Sequence, residues 1–197
     1  MPKTDMIIHA GDFTYHGKIK EVVSFLDWYK DQKAEHKILI CGNHEVEISK
    51  YPDLLKTMCE DRGIHLLNNQ HLTVAGFKIF GSPYTPTFGR GWAYMLDDDR
   101  LANVWGMIDN DVDILITHGP ARARLDFCPG GHVGSLTLKE RIDNTLRNLK
   151  LHVTGHIHES RGAGIFKTNY GNYMTVNAAI CGIPYTDIII NPITVEI

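Results

Sequence analysis

Polar residues with acid, base or ligand chemistry stand beside glycines at the ends of several apolar runs in this sequence. They are Asp12 in HAGDFT, Asn43 and His44 in CGNHE, His118 in THGP, and His156 with His158 in VTGHIHES. Imidazole, carboxylate and amide oxygen together suit borderline to hard divalent ions better than a thiolate-seeking metal. On a strand, residues i and i+2 point to the same side, so this spacing lets His156 and His158 converge on one point beyond a strand end. A single histidine at such a place is more often a hydrogen-bonded structural residue than a ligand. A single aspartate before a helix, as at Asp12, is as often an N-cap. The four words in this order are difficult to explain by packing alone.

The elements that must position these residues can be read from periodicity. DMIIHAGD and HKILICGNHE are short, partly β-branched runs closed by glycine, which predicts strands ending in loops. Between them, Ile19, Val22, Val23, Leu26 and Tyr29 form one apolar stripe of a helix. Pro52 and Gly63 bracket a second helix, and HLTVAGFKIFGSP alternates around Gly76 like a hairpin. DDDRLANVWGMI and SLTLKERIDNTLRNL read as helices with VDILITHGP as a strand between them, and KLHVTGHIH as a further strand. YMTVNAAI and TDIIINPITVEI predict a β-rich tail. Helices alternate with strands early and strands dominate late, so the class is mixed α/β with at least one sheet that is not purely parallel. Glycine at the strand ends permits sharp turns and close approach to a bound group, and sites in α/β sheets form outside the carboxyl ends of strands.

Composition narrows the function classes. The chain has 197 residues, 43% of them hydrophobic, which suits one domain over 1–197 with a sizeable core. A formal charge of -3 with scattered Lys and Arg predicts no extended nucleic-acid surface. No apolar run is long enough for a bilayer and the N-terminus lacks signal-peptide character, so no membrane partner is expected and the expected compartment is the cytoplasm. The four cysteines, Cys41, Cys59, Cys128 and Cys181, form no CxxC pair and are expected to be reduced.

The order GD, GNHE, THGP, GHIHE resembles the calcineurin-like metallophosphoesterase superfamily, over nearly the whole chain. The surrounding words look most like its class III phosphodiesterase branch, which includes the MPPED proteins. The resemblance implies a four-layer αββα fold, a β-sandwich of two mixed sheets flanked by helices, with a dinuclear metal site at one edge. It implies that Asp12 bridges two ions, that Asn43, His118 and His156 complete the ligands of one, and that His158 binds the other. His44 matches the histidine that assists the departing group. Manganese is the leading expectation for the ions, with iron or zinc as alternatives. Two ions about 3.5–4 Å apart would turn a shared water into hydroxide and clamp the oxygens of a small phosphodiester, cyclic nucleotides being one such class.

The same resemblance places a D-x-H word at the end of a first strand upstream of GD, supplying two more ligands to the second ion. Eleven residues precede Asp12 and no D-x-H occurs later, so that first strand is expected to be missing and the second metal site impaired. Either the recorded start is internal to a longer protein, or the fold does without the segment. The second case keeps open an alternative from another class, a metal-binding pseudo-phosphoesterase acting as an interaction or scaffold module. Softer candidates are the glycine-rich CPGGHVGS, Arg122 and Arg124 as phosphate partners, Asn177, and a long loop holding Trp92 and Tyr94.

Overall fold

The computed structural model of the chain describes residues 3–182 and 191–197. Two sheets face each other. The first has the order β1 (Thr4–Ala10), β2 (Ala34–Ile40), β3 (His65–Leu66), all paired in parallel, with Ala10 opposite Ile40. The second has six strands. β4 (Gln70–Val74) and β5 (Phe77–Ser82) form the expected antiparallel hairpin, turning through Ala75 and Gly76, both at positive φ. β5 pairs in parallel with β8 (Ile114–Thr117), which pairs with β11 (Leu151–Thr154). β12 (Gly162–Thr168) and β13 (Gly171–Asn177) close the sheet as an antiparallel pair, with β13 parallel to β11. Two short pairs lie in loops: β6 (Thr85–Pro86) with β7 (Met95–Leu96), and β9 (Phe127–Cys128) with β10 (Gly131–His132).

Alternation along each strand builds the layers. Ile8, Ala10, Ile38 and Ile40 of the first sheet meet Ile79, Ile114, Ile116, Val153 and Val176 of the second, forming the inter-sheet core. The neighbouring residues Ile7 and Leu39 face outward onto α1 (Ile19–Lys30) and α2 (Pro52–Glu60), through Val22, Leu26, Tyr29, Leu55 and Cys59. Of the predicted α1 stripe, Val22, Leu26 and Tyr29 are buried, whereas Ile19 stays exposed in the first turn. On the far side, Phe80, Leu115 and Tyr173 pack on α3 (Asp98–Trp105) and α4 (Leu136–Thr145) through Leu101, Trp105, Leu138 and Ile142. Helix, sheet, sheet, helix is the four-layer order expected.

The helix ends follow their sequence. Pro52 opens α2, Gly63 beyond it takes a left-handed φ of 66°, and the Ser135 hydroxyl caps α4 by accepting from the Leu138 N–H at 3.0 Å. Asp98 on α3 also accepts from the N–H groups of Leu136 and Thr137, placing a carboxylate at the positive end of α4. All four cysteines are free. Among the described residues no helix is long and apolar enough to cross a membrane. Much of the predicted TDIIINPITVEI strand falls on 183–190 and lies outside the described residues; 191–197 are not in a strand.

Candidate metal centre

The register of each sheet brings the sequence words together. Ala10 pairs with Ile40, so the GD and GNHE loops leave adjacent strand ends, and Val153 pairs with Ile116, so THGP and GHIHE do the same in the second sheet. One hydrogen bond ties the two sheets at this edge: His118 Nδ1 lies 2.8 Å from the carbonyl oxygen of Ala10. A carbonyl only accepts, so Nδ1 carries the proton.

That bond determines what the other nitrogen does. His118 Nε2 then presents a lone pair, and it faces Asn43 Oδ1 at 2.9 Å and Asp12 Oδ2 at 3.2 Å, both of which are also acceptors. Three acceptors meeting with His118 and Asn43 buried are electrostatically unfavourable unless a cation or a proton sits among them. Burial works against a charged His118, yet the Asp12 carboxylate outweighs it and raises the imidazole above its usual range. Burial likewise opposes the Asp12 charge, but His118 and the His44 N–H, 2.9 Å from Asp12 Oδ1, hold that carboxyl below the usual carboxylate range. Ligand atoms of Asp12, His118 and His156 all lie within 4.8 Å of one another. Burial, followed by the neighbouring His118, pushes His156 down to about 3, so it is a neutral nitrogen donor at ordinary pH. The donor set fits a divalent ion.

Two of these residues hold strained backbones. Asp12 has φ 57° and His156 φ 66°, positions that residues with a Cβ seldom occupy. β11 ends at Thr154, so His156 and His158 do not lie on a strand and the i, i+2 argument is not what positions them. The left-handed turn aims His156 at the centre, while His158 begins a 3-10 turn and its Nδ1 bonds the Cys181 carbonyl at 2.9 Å. His44 sits just outside: its backbone N–H serves Asp12 and its Nδ1 bonds the Tyr15 carbonyl at 2.8 Å, so Nδ1–H is again the donor. Nε2 is the ring nitrogen left for exchange.

Supporting groups had weaker sequence signals. Glu45 is fully buried and accepts from the N–H groups of Asp12, Thr14 and Gly42 and from the Thr14 hydroxyl, at 2.6–3.0 Å. It binds the GD loop to the GNHE loop. Burial, and next the Asp12 charge, push its carboxyl up, and the donors pull it back. Asn177, one of the softer candidates, is buried at the end of β13, bonds the carbonyls of Leu125 and Ile157 and so ties the segments after His118 and His156. Gly42 is required for space, since a Cβ there would stand 2.4 Å from Asp12 Oδ1 and 2.5 Å from His118 Cε1. Thr117 donates to the Gly119 carbonyl at 2.6 Å, so the buried His152 must donate its Nε2–H to Thr117 at 2.8 Å.

The softer candidates are occupied locally. Arg124 pairs with Asp143, bonds the Tyr173 hydroxyl and lies over the Phe166 ring, and Arg122 bonds the His132 carbonyl. CPGGHVGS forms the turn of the β9–β10 pair, where buried Asp126 accepts from the His132 ring at 2.6 Å and from the Gly134 N–H. The loop between β6 and β7 does border the centre: the Trp92 ring is 4.6 Å from His44 and the Phe88 ring 4.8 Å from His156. Phe88 had no periodic signal to mark it. A cleft of about 540 Å³ runs along β1, bounded by Met6, Ile8, Val153 and Val176, with His156 and His158 among its walls. Among the described residues β1 pairs on one side only, and its other edge faces this cleft.

Comparison with known proteins agrees with this geometry. The family model for calcineurin-like phosphoesterase matches residues 1–160. The human metallophosphoesterase domain-containing protein 1 is 35% identical over 209 residues, covering 94% of this chain and 62% of its own length. A probable rhamnogalacturonate lyase C of Emericella nidulans is 36% identical over 172 residues, covering 82% of this chain but 16% of its own. The chain thus spans about three fifths of the length of the human relative. Among solved structures, TT1561 of Thermus thermophilus superposes with TM-score 0.61 at 13% identity, over 89% of this chain and 76% of that one. The phosphopantetheinyl hydrolase PptH of Mycobacterium tuberculosis gives 0.59 at 16%, over 91% and 79%; both are likenesses of fold. A model match over most of the chain, joined to ligand words gathered at one sandwich edge, places the chain in the calcineurin-like phosphoesterase family.

Proposed function

We propose that this chain is a metal-dependent phosphodiesterase whose substrates are small phosphodiesters, cyclic nucleotides among them. The observation that carries the reading is the meeting of His118 Nε2, Asn43 Oδ1 and Asp12 Oδ2 at 2.9–3.2 Å, an arrangement that calls for a cation or a proton among them, with His156 close by. Asp12, Asn43, His118 and His156 hold the principal ion, manganese ahead of iron or zinc, and His158 contributes to a weaker second site. A bound divalent ion supplies positive charge that activates water and stabilises phosphoryl oxygens. The chain's own residues do the rest. The Ala10 carbonyl fixes the His118 tautomer, and Glu45 keeps the Asp12 loop in place. In its doubly protonated form His44, oriented by the Tyr15 carbonyl, gives a proton or hydrogen bond from Nε2 to the leaving oxygen, a role typically worth ~10²–10⁴-fold. A cytoplasmic setting and a small-molecule substrate complete the proposal.

One observation favours a second reading, a metal-binding module without turnover. Among the described residues a single group of His and Asp ligand atoms converges, and it does not include His158. Hydrolysis of bis(p-nitrophenyl) phosphate with Mn²⁺ and with a chelator decides between them. Under the enzyme reading, the metal-loaded chain hydrolyses the ester. His44→Ala then loses at least ~10²-fold in rate while keeping its metal. A chain that binds metal but shows no chelator-sensitive hydrolysis supports the module instead. Equal rates in wild type and His44→Ala would remove the role given to His44.

A further inference from the structure

The metal centre is bordered by aromatic rings that the core does not absorb. Phe88 is 52% exposed and Tyr15 72% exposed, although both are large enough to be buried at a considerable gain. They belong to one arc. Phe88 lies 4.8 Å from His156, and Trp92 stands 6.4 Å from Phe88 at an interplanar angle of 29°. Trp92 is also 4.6 Å from His44, and the arc ends on Tyr15, 6.1 Å from His44. The rings therefore run from one proposed ligand to the proposed proton donor.

The arc is held in place. Thr85 N–H bonds the Tyr94 carbonyl at 3.0 Å and Thr87 N–H bonds the Leu96 carbonyl at 3.1 Å, closing the loop that carries Phe88 and Trp92. Ala93 N–H bonds the Asn43 carbonyl at 3.0 Å, tying that loop to the metal-ligand word itself. Shielding of the imidazoles would be served equally well by aliphatic side chains. Flat rings fixed beside a phosphate-sized centre, with Phe88 and Tyr15 more than half exposed and Trp92 half-buried between His16 and Phe88, instead suit a flat guest.

We infer that Phe88, Trp92 and Tyr15 determine specificity by stacking on a planar aromatic group carried by the phosphoester, such as a nucleobase or aryl ring. This rests on the phosphoesterase reading and adds which residues recognise the substituent and by which of its properties. A saturated substituent of equal size fills the same space but cannot present a π-face, so the preference is read as a ratio.

Phenyl phosphate and cyclohexyl phosphate make that comparison, with binding to the Mn²⁺-loaded chain followed by calorimetry and by tryptophan fluorescence. The wild type should bind phenyl phosphate about 5–10-fold more tightly, a range typical of one aromatic pair. Phe88→Leu with Trp92→Leu should bring the phenyl-to-cyclohexyl ratio close to one, and Trp92→Tyr with Phe88 intact should retain most of it. Equal affinity of the wild type for the two esters overturns the inference, as does an unchanged ratio in the leucine variant. Failure of the metal-loaded chain to bind inorganic phosphate or either ester removes the phosphoesterase reading and this inference with it, and is distinguishable because no ratio exists.

Discussion

Replacing the Glu45 carboxylate by an amide tests how the ligand loops are held. Glu45→Gln keeps the shape but turns one acceptor into an N–H₂ group facing backbone donors, so buried N–H groups of the Asp12, Thr14 or Gly42 set lose their partner. A loss of about 2–3 kcal/mol in urea denaturation is expected, with Mn²⁺ affinity falling as well. His118, His156, His44 and Asp12 were legible because their residue types and glycine neighbours carry the signal in a few letters. Glu45, adjacent to His44 in GNHE, was not assigned this part, since its partners lie at Asp12 and Thr14 and nothing periodic links them. The left-handed φ of His156 was also hidden. A histidine with its Cβ gives no warning of such a turn, whereas a glycine would.

Strands β1, β2, β8 and β11 each stop at or just before the glycine that the sequence marks, and their register places the four loops side by side. At this scale the glycines are space, and Gly42→Ala is the sharp test. Its Cβ would overlap Asp12 Oδ1 and His118 Cε1, so these two proposed ligands must separate. Overpacking of this kind typically costs ~1–3 kcal/mol, and isothermal titration should show Mn²⁺ affinity reduced at least ~10-fold. The helices and the β4–β5 hairpin were readable because one apolar face or one glycine turn defines them locally. Which face of each strand meets which layer was not, because alternation alone leaves both faces of β5 or β8 apolar: Ile79 and Ile114 enter the inter-sheet core while Phe80 and Leu115 meet the helices. The short β6–β7 and β9–β10 pairs were invisible for a similar reason, since two-residue strands have no period.

The whole molecule is a sandwich whose second sheet buries an imidazole beneath α4's layer, and this gives stability a pH dependence. Burial, followed by the Arg124 charge, pushes His152 down from 6.5 to about 3. A depressed histidine stabilises fully above its unfolded pKa and loses that contribution as pH falls from about 6.5 toward 3, at ~1.4 kcal/mol per pH unit. Between pH 7.5 and 5.0 the wild type should therefore lose about 2 kcal/mol more than His152→Leu in urea titrations of the metal-free chain. Equal losses would mean His152 stays accessible to protons. The central claim, however, is that the sandwich edge is a metal centre built from Asp12, Asn43, His118 and His156. Its most direct test is metal content after dialysis against micromolar Mn²⁺ or Zn²⁺, measured by elemental analysis for wild type and His118→Ala. The account predicts at least one ion retained per wild-type chain and essentially none in His118→Ala, with the variant still folded. A wild-type chain that retains no ion, or a variant that retains as much, would contradict it.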